Sequence, residues 1–560
     1  MAKPKRSTKK KAKHQQKGKQ KTVPQSKKQT AVTSSNFSML PYLALGLTMI
    51  VIFFIRVNLL DMPLERDEGG FAYIGQHLLE GESLYQNLYD IKLPGLYYTY
   101  AFIMSIFGFT AKGIHIGLLL FNFTATILLF IWIRRLYNDF IATVTAITFV
   151  ILSVTPNVFG FAAHATQLLL PFALGGLIVL DNALKSKKIL LFLGAGVLLG
   201  IAFTIKQQSV YFMIFGGLWL IQQRWKDWRT LVKEMGFLVA GSILPYVLIA
   251  ITMMASGRFD NFWFWTFEWP REFASHTTLE QANQVFQFQF GRLTEGHIVI
   301  WLLGLAGLIS LFFQKITPAQ KFIAAVFALC MAASVATGFH FYQHYFVVFL
   351  PALGLLLALG LSYIKHLMNV EAAWAWAVPM VIFLFCISQV FTNNSSYFTN
   401  PNFTELHRTI YGTNPFPESV EIGKYLKSVK QPNDKIIVFG SEPQIPFYAD
   451  IPSITGHLFI YPATVPGAYT EELKAEVIQQ VETEQPRFLV YVQHTGSWLN
   501  INAPLNEWMK NYVSTQGYRP IGVVDIFGNG VPTNYVFGLE QAMQYQLQSQ
   551  TGVLVFEKGS

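Results

Sequence analysis

The chain has 560 residues, 52% of them hydrophobic and only 13% charged, against roughly 25% charged in an ordinary soluble protein, which excludes a purely soluble globular reading. The mean hydropathy of +0.35 and the 49 Phe point to a protein dissolved largely in lipid. The net charge of +10 is uneven: residues 1–28 hold eleven Lys and Arg6 with no acid, leaving 30 basic against 32 acidic residues elsewhere, so the basicity is no nucleic-acid-binding surface.

Residues 1–37, rich in Lys, Gln and Ser, lack the apolar surface needed to fold and are expected to form a disordered cytoplasmic tail. Its positive charge fixes topology, and it suits anionic lipid headgroups as well. The first apolar run, Ser38–Leu60, is long enough to span a bilayer as a retained anchor. Further candidate spans are 113–133, 140–155, 166–184, 189–204, 208–222, 234–255, 296–313, 322–338, 345–364 and 373–391, eleven in all with the first. Cys330 and Cys386 lie within these runs, which argues against a disulfide scaffold or a cysteine-ligated metal.

Charge placement orients the spans. With the N-terminus inside, Arg134, Arg135, Lys185, Lys187, Lys188, Arg224, Lys226, Arg229, Lys233, Lys315, Lys321 and Lys365 fall in cytoplasmic connections. External residues 61–112 carry seven acids against three bases, and 256–295 five against three. The run Pro94–Phe109, with Tyr97, Tyr98 and Tyr100, reads as an interfacial helix, since a span there would invert the charge pattern.

The external loop 61–112 holds the densest chemistry. A helix beginning near Gly69 would place Phe71, Ile74, Leu78 and Leu79 on one face and lie flat on the membrane. Asp67 and Glu68 would stand at its N-terminus, where backbone N–H groups stabilise negative charge. Lys92, ahead of a helix opening with Pro94, can pair with Asp67, meet a phosphate, or snorkel to the interface. The arrangement Arg66-Asp67-Glu68-Gly69-Gly70-Phe71-Ala72-Tyr73, then Asp90-Ile91-Lys92-Leu93-Pro94-Gly95-Leu96-Tyr97-Tyr98, resembles integral-membrane GT-C glycosyltransferases of the protein O-mannosyltransferase and aminoarabinose-transferase class (glycosyltransferase family 39-like). Relatives usually have Lys-Pro-Pro where this chain has Lys92-Leu93-Pro94.

The resemblance, over roughly residues 40–365, implies a GT-C-like membrane domain at 38–391 and a polyprenyl-phosphate-linked sugar donor. It implies Asp67 as catalytic acid with Glu68 beside it, and Lys92 as the loop lysine. Lys206 stands near the outer boundary, where lysine is otherwise scarce, and suits a lipid phosphate or a snorkelling role. Arg271 belongs to an external segment with Arg258, Arg292, Trp263, Trp265 and Trp269 and joins Lys92 and Lys206 as a candidate for the donor phosphate. Arg66, Tyr73, Asp90, Tyr342, His344 and Tyr345 are candidate substrate contacts. The last three lie in His340-Phe341-Tyr342-Gln343-His344-Tyr345-Phe346, whose alternatives are interfacial packing and, with its two histidines, a metal site that lacks an obvious third ligand. No metal and no cofactor are expected. In His164-Ala165-Thr166-Gln167, relatives carry an acid near Gln167 and this chain has none.

Residues 392–560 change character. Amphipathic stretches Ser419–Lys430, Thr470–Glu484 and Leu505–Gln516 alternate with β-rich runs Lys435–Gly440, Arg487–Val492 and Ile521–Ile526. This predicts a separable extracytoplasmic α/β domain. The fold class is therefore mainly α, a polytopic membrane protein of about eleven transmembrane helices with a C-terminal α/β domain. The expected activity is sugar transfer from a lipid-linked donor to an unknown protein, lipid or glycan acceptor, with membrane lipids as further partners and no nucleic acid. The competing class is a non-enzymatic transporter or envelope-assembly protein, which the spans permit but the paired loop motifs and the absence of an internal repeat disfavour.

Overall fold

Each of the eleven apolar runs is helical in the computed structural model, which describes residues 39–275, 277–368, 373–528 and 530–559. The tail expected over 1–37 lies outside the described residues. In chain order the helices are α1 (Leu40–Asn58), α2 (Arg66–Leu79), α3 (Pro94–Phe107), α4 (Ala111–Leu136), α5 (Asp139–Leu152), the short α6 (Ala165–Leu168), α7 (Leu170–Ser186), α8 (Ile189–Ile205) and α9 (Val210–Arg224). They continue with α10 (Trp228–Ala255), α11 (Phe259–Trp263), α12 (Trp269–Ser275), α13 (Leu279–Thr294), α14 (Ile298–Ser310), α15 (Pro318–Ala336), α16 (Leu350–Leu367) and α17 (Ala377–Asn393).

Length and composition qualify seven of these segments to cross a bilayer: α1, α4, α6 with α7, α10, α15, α16 and Trp374–Asn393. An eighth is the pair α13 and α14, bent by 109° at their junction, while α5 and α8 are apolar but shorter. Helix starts follow local capping chemistry. Asn138 caps α5 by accepting from the Ile141 N–H, and Thr317 with Gln320 forms a reciprocal capping box on α15.

The C-terminal segment contains a five-stranded sheet in the order β1-β2-β5-β3-β4: β1 Ile436–Phe439, β2 Phe488–Gln493, β3 Tyr518–Ile526, β4 Asn534–Phe537 and β5 Thr551–Lys558. β1 and β2 are parallel, and β5 runs antiparallel between β2 and β3. The three β-rich runs are β1 to β3, and the three amphipathic stretches are helices Phe416–Val429, Thr470–Glu484 and Pro504–Thr515. β4 and β5 were not expected.

Alternating strand residues feed two cores. Ile436, Phe488, Val490 and Val492 belong to a small core with Ile422 and Leu426. Ile437, Phe439, Leu489 and Tyr491 join the large core that continues into the membrane helices. Residues Pro41–Ser560 accordingly form one compact unit, in which the C-terminal segment shares part of its core with the membrane helices. A domain that shares half its sheet's core with its neighbour cannot leave it without exposing apolar surface.

The expectation of α2 lying flat on a membrane is corrected. One face packs on α3, with the Phe71 ring 5.5 Å from that of Tyr100. The other is covered by the C-terminal segment. A Cβ on Gly69 would stand 2.5 Å from the Gln444 side chain, so only glycine admits this approach.

Candidate functional site

The site is built where four loops meet. α2 starts three residues earlier than expected because Glu65 is its N-cap, accepting from the Glu68 N–H at 2.8 Å. Arg66, Asp67 and Glu68 therefore occupy the first turn. At about 100° per residue they point in three directions.

Arg66 reaches the C-terminal segment, donating to the Ser441 carbonyl at 2.6 Å and to Asn414 Oδ1 at 3.0 Å, and pairing with buried Glu442. Tyr73, two turns on, is buried with its hydroxyl accepting from the Ser453 N–H at 2.7 Å. Both fasten α2 to the C-terminal segment. Glu68 turns into the helical bundle and is fully buried. Its Oε1 accepts from the Ala163 N–H at 2.6 Å and faces His115 Nε2 at 3.2 Å. His115 Nδ1 faces the Leu60 carbonyl at 2.9 Å. A carbonyl only accepts, so Nδ1 carries hydrogen, and one further proton is shared between Nε2 and Glu68. The arrangement makes Glu68 a support for the 160–164 loop; it does not stand with the open cluster.

Asp67 faces that cluster. A carboxylate oxygen of Asp67 and one ring nitrogen each of His164 and His344 lie within 4.8 Å of one another. The two imidazoles stack face to face, centroids 3.9 Å apart and 8° from parallel, with Tyr342 stacked beyond His344 at 5.8 Å. His164 Nε2 and His344 Nδ1 are buried without a hydrogen-bond partner. Burial, chiefly, holds His164 down at about 4, with Lys206 and Lys92 pushing the same way and Asp67 and Glu68 opposing. Burial also holds His344 well below the usual imidazole range, helped by His164, Lys206 and Lys92. Both rings are neutral at physiological pH.

Lys206 follows α8, buried, its ammonium 4.0 Å from the centroid of the Tyr345 ring. Burial and the like charge of Lys92 lower its pKa well below the ordinary lysine value, against the pull of Asp67. Among the described residues no carboxylate forms an ion pair with it. Lys92 reaches its place because α3 begins against the end of α8: a Cβ on Gly95 would stand 2.4 Å from Thr204 Oγ1. Gln207, next to Lys206, then donates to the Ile91 carbonyl at 3.2 Å. Asp90 is buried behind Lys92, accepting from the Tyr97 hydroxyl at 2.8 Å and its neighbour's N–H at 2.6 Å. Burial raises the Asp90 pKa, with Lys92 opposing.

Asp67, Asp90, Lys92, Lys206, Tyr342, His344 and Tyr345 are thus brought together. Arg271 is exposed on α12, and among the described residues no hydrogen bond or ion pair joins it to the cluster. Trp265 from the same segment is buried and stacks on Tyr89 at 5.1 Å. With Asp260, Trp263, Glu268 and Glu476 they line an open cleft of about 570 Å³ beside the Tyr89–Lys92 loop.

The residue that sequence reading underrated is His164. Gln167, its neighbour in the motif, is occupied structurally, holding the Ser153 and Gly160 carbonyls and accepting from Asn122. His164 caps the short helix α6 and meets Asp67 only in three dimensions. The trio Asp67, His164 and His344 has the donor types of a divalent-metal site. Its two rings lie in nearly parallel stacked planes, and the neighbouring amines of Lys206 and Lys92 oppose a cation.

Residues 92–253 match the family described as dolichyl-phosphate-mannose-protein mannosyltransferase. No curated protein matches the chain. Among solved structures, ArnT from Cupriavidus metallidurans bound to undecaprenyl phosphate is similar at 14% identity and a TM-score of 0.57, over 93% of this chain and 99% of that one. Its apo state gives 15% and 0.56, over 92% and 97%. The apo oligosaccharyltransferase of Archaeoglobus fulgidus gives 11% and 0.50, over 89% and 76%. The multi-pass, mainly helical fold is that of GT-C membrane proteins. With the family match, it bears out the resemblance read from the loop motifs and the expectation of a glycosyltransferase with a lipid-linked sugar donor.

Proposed function

We propose that the protein transfers a sugar from a polyprenyl-phosphate-linked donor to an acceptor at the extracytoplasmic face, with Asp67 as base or orienting carboxylate. The observation that carries this reading is the meeting of Asp67 with two lysine amines, one of them buried without an ion-pair partner among the described residues. A buried, unpaired ammonium costs several kcal/mol, and the phosphate of a lipid-linked donor is an anion of suitable charge and depth to offset that cost. Lys206 and Lys92 hold the phosphate and stabilise the negative charge that grows on it as the sugar leaves. Asp67 orients the acceptor nucleophile and takes its proton. Tyr345 lies under the Lys206 amine and Tyr342 stacks on His344. The N-terminus then lies in the cytoplasm and the sheet domain outside, a reading that the charge pattern of the connections supports.

The deciding experiment is transfer by the purified full-length protein, in lipid nanodiscs, from a panel of polyprenyl-phosphate sugars to cell-envelope acceptors. Transfer by the wild type that is lost in Asp67→Asn supports the reading; inactivity with every donor overturns it.

A further inference from the structure

Resting on that reading, we infer that His164 is the proton partner of Asp67, the imidazole that receives the proton Asp67 takes from the acceptor. Three observations carry this. One ring nitrogen of His164 stands within 4.8 Å of a carboxylate oxygen of Asp67. Its Nε2 is buried and has no hydrogen-bond partner, which leaves a ring position free to receive a proton.

The third observation is the support of the loop that presents it. Arg56, buried inside α1, donates to the Gly160 carbonyl at 3.1 Å and to the Ser153 carbonyl at 3.2 Å. Gln167 donates to the same two carbonyls at 3.3 Å each. Glu68 holds the N–H of Ala163, the residue before His164. Three buried polar side chains on three elements fix one loop of about a dozen residues. Such support preorganises a side chain whose position matters.

The proton balance is simple. The acceptor O–H bond breaks and its proton goes to an Asp67 oxygen. The acceptor oxygen forms a bond to the anomeric carbon, whose bond to the phosphate oxygen breaks, and that electron pair leaves with the polyprenyl phosphate. The proton then passes from Asp67 through one bridging water to the His164 ring and on to solvent as product departs. The groups facing His164 suit a brief stay: Asp67 and Glu68 on α2 attract the proton, while His344, Lys206 and Lys92 on three other segments repel it.

His164 acts through Asp67 and is a positioning residue, so its test needs a readout that packing alone would not move. In purified full-length protein, His164→Gln should lower kcat roughly 10²-fold, at the lower end for acid–base groups, with donor KM within about twofold. It should also remove one of the two coupled ionisations from the acid limb of the kcat/KM profile. A reduced kcat with an unaltered pH profile, or an unaltered kcat, overturns the inference. If that variant fails to fold, His164→Asn replaces it. A second arm needs no activity: with ¹⁵N-histidine labelling, the acid titration of His164 should move lower in Asp67→Asn, which removes a neighbouring negative charge. An unmoved titration overturns the inference. A wild type inactive with every donor overturns the transferase reading instead, and leaves this arm able to decide.

Discussion

Two buried or half-buried aspartates in different regions show opposite uses of the same group. In the sheet domain Asp525 is fully buried on β3, and its two oxygens accept from the Gln548 N–H at 2.7 Å, the Tyr545 hydroxyl at 2.8 Å and the Ser549 N–H at 3.1 Å. In the loop cluster Asp67 faces neutral imidazoles with free nitrogens and an amine held over an aromatic ring. A carboxylate surrounded by satisfied donors has finished its interactions within the protein. One surrounded by unfinished groups is arranged for something that arrives later.

The sharpest way to break this contrast is Asp67→Asn. It keeps shape and removes the charge and the proton acceptor, so turnover should fall by about 10²–10⁴-fold while the protein inserts and binds donor normally. Radiolabelled sugar transfer measures the first, and donor binding to the same preparation measures the second. Near wild-type transfer would reduce Asp67 to the status of Asp525. Lys206→Met comes next. Hydrogen bonds to charged groups contribute roughly 1.5–3 kcal/mol, so donor affinity should fall about 10–100-fold, read by equilibrium binding. Unchanged affinity would return Lys206 to an interfacial snorkelling role.

Glu68→Gln sharpens the comparison beside the cluster, because Glu68 mixes both uses. Its Oε1 is satisfied by Ala163 and His115, while Oε2 is buried without a partner. The amide oxygen can still accept from Ala163, but the proton shared with His115 is disturbed. We expect about 1–3 kcal/mol of lost stability in denaturant unfolding and a smaller turnover loss than for Asp67→Asn. A turnover loss equal to that of Asp67→Asn at normal stability would place Glu68 in the chemistry.

What the sequence showed divides along the same line. Apolar runs, charge asymmetry and amphipathic periods are local, and they located the membrane helices and the helices of the C-terminal segment. Asp67 and Lys92 were legible because a short loop carries them with their motif. That Arg66 and Tyr73 join α2 to the C-terminal segment was not legible, because helix phase depends on the cap, and Glu65 moved the start of α2. His164 acquires its meaning from residues 97 positions before it and 180 after it, a relation with no periodic or compositional trace. The join between sheet and helices was hidden similarly: strand alternation shows two apolar faces, not what covers them.

Asp525→Asn should have the smallest effect on turnover and a clear one on stability. Burial by itself would raise this carboxyl, but the hydrogen bonds from Ser549, Gln548 and Tyr545 outweigh it and hold the group below the ordinary aspartate range. A folded-state value below the unfolded one adds stability that is present above the unfolded value, near 3.9, and is lost as pH falls through the folded value. The wild type should therefore lose stability over that acid range. Asp525→Asn should start about 1–3 kcal/mol lower, because an amide nitrogen replaces one acceptor oxygen and meets donors, and should lack that increment of acid sensitivity. Thermal unfolding at neutral and acid pH reads both effects. Sugar transfer at a permissive temperature should stay within about twofold of wild type, since Asp525 supports a finished part of the structure. A large turnover loss in a stably folded Asp525→Asn protein would show that the sheet domain reaches into the chemistry and would erase the contrast with Asp67.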